Sequence, residues 1–258
     1  MPLSPIEQHY NKHPEDLRLQ RRHGIVEFET TMHHLHRFLQ PGQMVLDIGA
    51  GTGRYASALM AEGYRVKAVE LVRRNIEVFR QRESEADVVQ GDARDLSFLP
   101  DATADVTLLL GPLYHLVGDG EKVRALREAR RVTKPGGLIF VAYLMNEYSI
   151  LSYCFDEERI VDLQARGVVD EAFHVRTLEG ELYDYVRLED VDRLNGEAGL
   201  ERVTVFSPDG AADYMRTRLN RMSEATFSRF LSYQKSISER RDLIGAGSHI
   251  VDVVRAIP

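Results

Sequence analysis

At 258 residues the chain can bury a full core, and 43% hydrophobic with 28% charged residues are globular proportions that exclude disorder and fibrous repeats as starting classes. The formal net charge of -7 gives no broad attraction to nucleic acid or anionic lipid. Cys154 is the only cysteine, which excludes an internal disulfide and a multi-cysteine zinc site.

Residues 1–12 lack the basic and apolar parts of a secretion signal, and no apolar run is long enough to span a bilayer, so a cytoplasmic protein is expected. Across residues 6–39, Ile25, Phe28, Met32, Leu35 and Leu39 recur at steps of three or four and predict one amphipathic helix. Pro41-Gly42 ends it. A short apolar run, Met44-Val45-Leu46, then leads into Asp47-Ile48-Gly49-Ala50-Gly51-Thr52-Gly53, the pattern of a buried strand entering a glycine loop.

Strand and helix signals alternate from there. Helices are predicted over 54–62, 73–81 and 121–132, and strands over 65–69, 87–90, 105–110 and 138–143, the last after a Lys134-Pro135-Gly136-Gly137 turn. Such alternation implies parallel pairing, because each crossover helix must cover a face of the sheet. After Asn146, Leu151, Phe155, Ile160 and Leu163 among charged residues predict a helical insertion. A strand over 183–187, a helix over 189–198, a strand over 200–206, a helix over 223–240 and a strand over 249–254 complete the chain. We read one domain over 1–258, with an N-terminal helical cap (1–40), a cofactor-binding core (41–146), an insertion or lid (147–185) and a C-terminal part holding the rest of the sheet and the substrate region (186–258).

The glycines allow a sharp turn and close approach of a ligand to the backbone, and the next helix presents its free N–H groups there. A dinucleotide loop, G-x-G-x-x-G, would place glycine where this chain has Arg54. Asp47, two residues ahead of Gly49, repels a pyrophosphate and suits an ammonium. Glu70 ends the second strand, where a carboxylate accepts from ribose hydroxyls of NAD and of other nucleosides alike. Asp92 follows the third strand, where it suits an exocyclic adenine amino group.

In this order, Asp47 to Gly53, Glu70, Gly91-Asp92 and the Lys134 to Gly137 turn resemble a class I S-adenosylmethionine (SAM)-dependent methyltransferase, over roughly residues 43–143. The resemblance implies a three-layer Rossmann-like α/β fold whose seven strands are mostly parallel with the last antiparallel. It implies SAM as cofactor and S-adenosylhomocysteine (SAH) as product, held by Asp47, Gly49, Ala50, Gly51, Gly53, Glu70, Leu71, Asp92, Ala93, Leu110 and Gly111. A small-molecule methyl acceptor is implied by the segment Leu110 to Leu116 after the fourth strand.

Methyl transfer from a sulfonium requires mainly that donor and acceptor be held at attack distance. An acceptor with a proton to lose needs a base. His115 is the candidate and Tyr114 a residue to orient the acceptor, with Tyr10, Arg18 and Tyr143 as further lining candidates. The alternative is backbone bonding for His115, wall packing for Tyr114, and packing or surface contact, the favoured role, for Tyr10, Arg18 and Tyr143. His33, His34 and His36 lack a supporting carboxylate at helical spacing, so no metal is expected. Arg124, Arg127, Arg130 and Arg131 read as the solvated face of a helix. Competing readings are a nicotinamide-dependent oxidoreductase, a SAM-binding protein without catalysis, and a methyltransferase acting on protein or RNA.

Overall fold

The computed structural model describes residues 5–12, 21–178 and 180–256. Two helices, α1 (Pro5–Lys12) and α2 (Arg22–Phe38), stand where one was expected. Arg18 lies outside the described residues. The alternating part follows as β1 (Met44–Ile48), α3 (Arg54–Ala61), β2 (Arg65–Glu70), α4 (Arg73–Arg82), β3 (Asp87–Gln90), β4 (Ala104–Leu109), a 3-10 turn at Leu113–His115, α5 (Asp119–Val132) and β5 (Thr133–Met145).

The insertion is helical only in its first half. It runs through α6 (Asn146–Ser149), a π-helical stretch at Ile150–Phe155 and α7 (Ile160–Ala165), then irregularly to the two-residue strand β6 (Tyr185–Val186). The chain ends with α8 (Leu188–Ala198), β7 (Leu200–Phe206), α9 (Arg216–Leu219), α10 (Glu224–Ile237) and β8 (His249–Ala256). Ser223 starts α10 by accepting the Thr226 amide at 3.2 Å, a side-chain cap that satisfies one free donor of the first turn.

The strands form one sheet in the order β3-β2-β1-β4-β5-β8-β7, with β6 paired to the end of β5. All pairings are parallel except those of β8, which runs antiparallel to both β5 and β7. The expected turn at Lys134 to Gly137 is a bulge inside β5. Pairing with β4 jumps from Ala104↔Thr133 to Val106↔Leu138, and Gly137 is held there because a Cβ would lie 2.6 Å from the Asp105 carbonyl oxygen.

Alternation along the strands sorts the core into two layers. Leu46, Ile48, Ile139, Val141 and Tyr143 face α5 and α8 with Val123, Leu126, Val191 and Leu194. Val45, Val106, Phe140 and Phe206 face α2 and α3 with Met32, Leu35 and Leu59. Each such buried aliphatic or aromatic side chain contributes about 1.5–3 kcal/mol. Tyr143 therefore belongs to the core, 1% exposed, which is the packing role and not the pocket-lining one. Its parity along β5 matches Ile139 and Val141, which point into the helical layer.

His33, His34 and His36 serve separate contacts. His34 stacks on Phe206 with ring centroids 3.8 Å apart and bonds Ser238 at 2.8 Å, while His36 pairs with Glu62 at 2.7 Å. Of the arginines on α5, Arg131 is tied to Glu128 and Asp101, and Arg127 and Arg130 donate to the carbonyls of Glu197 and Ala198.

Candidate active site

Strand order reverses between β1 and β4, and the crevice beyond their carboxyl ends is where open α/β sheets take ligands. A cavity of about 1050 Å³, counted to its open mouth, fills that position. Its wall brings together Asp47, Gly49, Ala50, Gly51, Glu70, Leu71, Asp92, Ala93, Leu110, Gly111, Tyr114 and His115. Gly53 stands behind this wall. It opens α3 with φ 83°, and its Cα faces the buried Phe79 ring, so it shapes the turn without lining the cavity.

The glycine loop is fastened to β2. Gly49 and Ala50 donate to the Val69 carbonyl at 2.7 and 3.1 Å, and the Gly51 amide donates to Oε2 of Glu70 at 2.8 Å. The other Glu70 oxygen accepts from the Val72 amide at 2.8 Å and from Asn75 at 3.2 Å. Burial raises the Glu70 pKa above the ordinary carboxylate value, and these donors oppose that shift. Asp47 is 2% exposed, and its Oδ2 has no hydrogen-bond partner. Burial, reinforced by the neighbouring Glu70 charge, pushes its pKa up to about 7 against the Ala56 amide, which favours the ionised form. For Asp92, burial alone would raise the pKa, but hydrogen bonds from Arg94 hold it below the ordinary value. Arg94 grips Asp92 at 2.6 Å and Glu121 at 2.5 Å.

At the other end of the cavity, His115 is bonded at both ring nitrogens. Nδ1 lies 2.8 Å from the Leu182 carbonyl and must carry the proton, because a carbonyl only accepts. Nε2 then accepts from the Tyr10 hydroxyl at 2.8 Å. Burial lowers the His115 pKa to about 4, so the ring is neutral near pH 7. The expected base is thus a weak one, occupied in joining α1 to the end of the insertion. A second clamp lies beside it: the Asp184 amide donates to the Tyr114 carbonyl at 2.8 Å, and the Asp184 carboxylate pairs with Lys122, itself 1% exposed.

Several wall residues carry no motif signal in the sequence. Ile6, Glu27 and Tyr55 come from the helices that cover the crevice, and Glu27 is one charge among many on α2. Arg54 reaches over the Phe28 ring, 4.2 Å from its centroid, which links α3 to α2 above the loop. Asn75 had a readable signal: it falls one turn into the helix after Glu70, within reach of that carboxylate.

Residues 46–141 match the family model described as a methyltransferase domain. The chain is 39% identical over 109 residues to a cypemycin N-terminal methyltransferase of Streptomyces sp, covering 41% of this chain and 43% of that one. It is 37% identical over 102 residues to a demethylmenaquinone methyltransferase of Renibacterium salmoninarum, covering 40% and 41%. It thus spans less than half the length of these relatives. Among solved structures it is similar to a SAM-dependent methyltransferase, possible histamine N-methyltransferase, from Thermotoga maritima, with TM-score 0.61, 21% identity and 98% of each chain covered. The chain has the class I SAM-dependent methyltransferase fold.

SAM is the ligand that the similarity points to, and the residues present at the cavity fit it. The partnerless buried Oδ2 of Asp47 suits an ammonium donor, and a Cβ on Gly51 would meet nothing within 4 Å, so the loop leaves room for a ligand to lie against its backbone. The buried carboxylate would repel a pyrophosphate, whereas the room over Gly51 would admit either ligand. Among the described residues, no helix is long and apolar enough to cross a membrane.

Proposed function

We propose that the chain is an enzyme that methylates a small-molecule acceptor with SAM and leaves SAH. The observation that carries this reading is the buried, partnerless carboxylate oxygen of Asp47 beside a glycine loop braced by Glu70. Asp47, Gly49, Ala50 and Gly51 would hold the amino-acid end of the cofactor, Glu70 and Leu71 the ribose, and Asp92 and Ala93 the adenine. Leu110 and Gly111 would lie along its reactive end. Bound there, the cofactor supplies a methyl group on a positively charged sulfur, already activated for displacement.

The chain's own part is then to bind, orient and exclude water. Glu70 couples ribose binding to the shape of the loop, because one of its oxygens also accepts the Gly51 amide. Tyr114 walls the acceptor side. His115 serves as a latch, since its two bonds join Tyr10 of the N-terminal cap to Leu182 of the insertion at the cavity wall. Ile6, Tyr10 and Glu27 of the N-terminal helices would accordingly cover the cavity, with the insertion tied to them through His115.

Calorimetric titration with SAM, SAH and NADH tests the reading. The two adenosyl ligands should bind and NADH should not. Glu70→Ala and Asp92→Ala should weaken SAH by about tenfold or more, the scale of one charge-assisted hydrogen bond. Binding of NADH alone would replace this reading with a nicotinamide-dependent oxidoreductase, and SAM binding without methyl transfer to any acceptor would leave a binding protein.

A further inference from the structure

The carboxylate of Glu70 is nearly saturated by the protein itself. Each oxygen of a carboxylate offers two lone-pair directions in the plane of the group. Oε1 accepts the Val72 amide at 2.8 Å and the Asn75 side-chain amide at 3.2 Å, which fills both of its directions. Oε2 accepts the Gly51 amide at 2.8 Å, which leaves it at most one. Turning the group to free Oε1 would break the bonds that fasten the glycine loop and the start of α4.

Asn75 stands beside this carboxylate in the first turn of α4 and belongs to the same cavity wall as Glu70, Leu71 and Val72. It is 5% exposed. An ionised carboxylate only accepts, so the nitrogen of the Asn75 amide must face Glu70 and its oxygen must point away from it. That oxygen meets no donor among the described residues. In so buried a wall it is an acceptor that a hydroxyl of a ligand can satisfy.

A vicinal diol presents two donors side by side. The wall presents two acceptors on side chains joined by one hydrogen bond, Oε2 of Glu70 and Oδ1 of Asn75. We infer that Asn75 is a specificity-determining residue of the cofactor site: its Oδ1 accepts one ribose hydroxyl while Oε2 of Glu70 accepts the other, so the diol is read by two side chains and not by one carboxylate. This rests on the methyltransferase reading above. Asn75 also positions Glu70, since its N–H holds Oε1. The two roles separate by experiment, because a residue that only positioned Glu70 would act through the hydroxyl that the carboxylate holds.

The test is calorimetric titration of the full chain with SAH and with its two monodeoxy analogues, each lacking one ribose hydroxyl. In the wild type both analogues should bind more weakly and by unequal factors: about tenfold or more where the missing hydroxyl met the carboxylate, and about two- to tenfold where it met the neutral amide. In Asn75→Ala the smaller penalty should vanish to within about twofold, while the larger one remains. Equal penalties in the wild type overturn the assignment, and this comparison does not depend on the folding of a variant. An Asn75→Ala protein that keeps the smaller penalty, or that loses the larger one, overturns it as well. Failure of SAH itself to bind the wild type defeats the methyltransferase reading, whereas SAH binding without this pattern defeats only the role of Asn75.

Discussion

Oε2 of Glu70 accepts the amide of Gly51 at 2.8 Å, so the carboxylate that ends β2 is part of the glycine loop that leaves β1. The two strands are neighbours in parallel register, Asp47 opposite Ala68 and Ile48 opposite Val69, which brings the loop and the carboxylate together without help from distant elements. The same closeness places Glu70 beside Asp47 and contributes to that residue's raised pKa.

Asp47 gives SAH binding a pH dependence. Its pKa in the folded protein, about 7, lies above the ordinary value of 3.8, so the protonated form is favoured by folding. Its contribution to stability is complete below the ordinary value and is lost as pH rises through about 7. An ammonium requires the ionised form, so SAH affinity should rise between pH 6 and pH 8 with release of a proton. Calorimetry in buffers of different ionisation enthalpy reads both effects. Asp47→Asn should flatten the profile and weaken binding about tenfold or more at pH 8; an unchanged profile would remove Asp47 from the site.

Gly53 and Gly63 separate strain from collision. Both have positive φ, 83° and 89°, but a Cβ at Gly53 would lie 2.3 Å from the Phe79 ring, whereas at Gly63 it would meet nothing within 4 Å. Gly63→Ala should cost about 1–2 kcal/mol for the left-handed backbone alone. Gly53→Ala adds overpacking against a buried ring, for a total of about 2–5 kcal/mol. Urea unfolding of the two variants checks the difference, and equal losses would show that Phe79 yields freely.

His34 and His115 should make the fold acid-sensitive. Burial lowers the pKa of both His34 and His115 to about 4, against an ordinary 6.5. Depressed values mean that the unfolded chain binds more protons through this window, so the stability they contribute is present above 6.5 and lost as pH falls towards 4. Denaturant midpoints should decline from pH 7 to pH 4.5. His34→Gln, whose amide can still reach Ser238, should be less stable at pH 7 but decline less steeply. A parallel decline would place the acid sensitivity in other groups.

Reading strand ends in order named Asp47, Glu70 and Asp92, which line one cavity, because each sits within a few residues of the strand that positions it. Local chemistry also marked the glycine loop, whose turn depends on positive φ at Gly49, Gly51 and Gly53. The choice between packing and pocket lining for Tyr143 follows from the period of two along β5, once the layer facing Ile139 and Val141 is known. The division of the N-terminal segment into α1 and α2 had none, since apolar spacing alone does not report where a helix is interrupted.

The contacts around His115 and His249 were decided by tertiary structure. Tyr10 meets His115 across 105 positions, and Asp209 meets His249 across 40. Neither pair has a spacing that a motif could encode, because each depends on where a distant element is packed. The antiparallel return of β8 carries His249 to the end of β5, and the insertion carries the Leu182 carbonyl to Nδ1 of His115. Sequence patterns report contacts made within a turn or between a strand and its loop; contacts that exist only because the whole sheet has closed become visible when its long-range pairings are known.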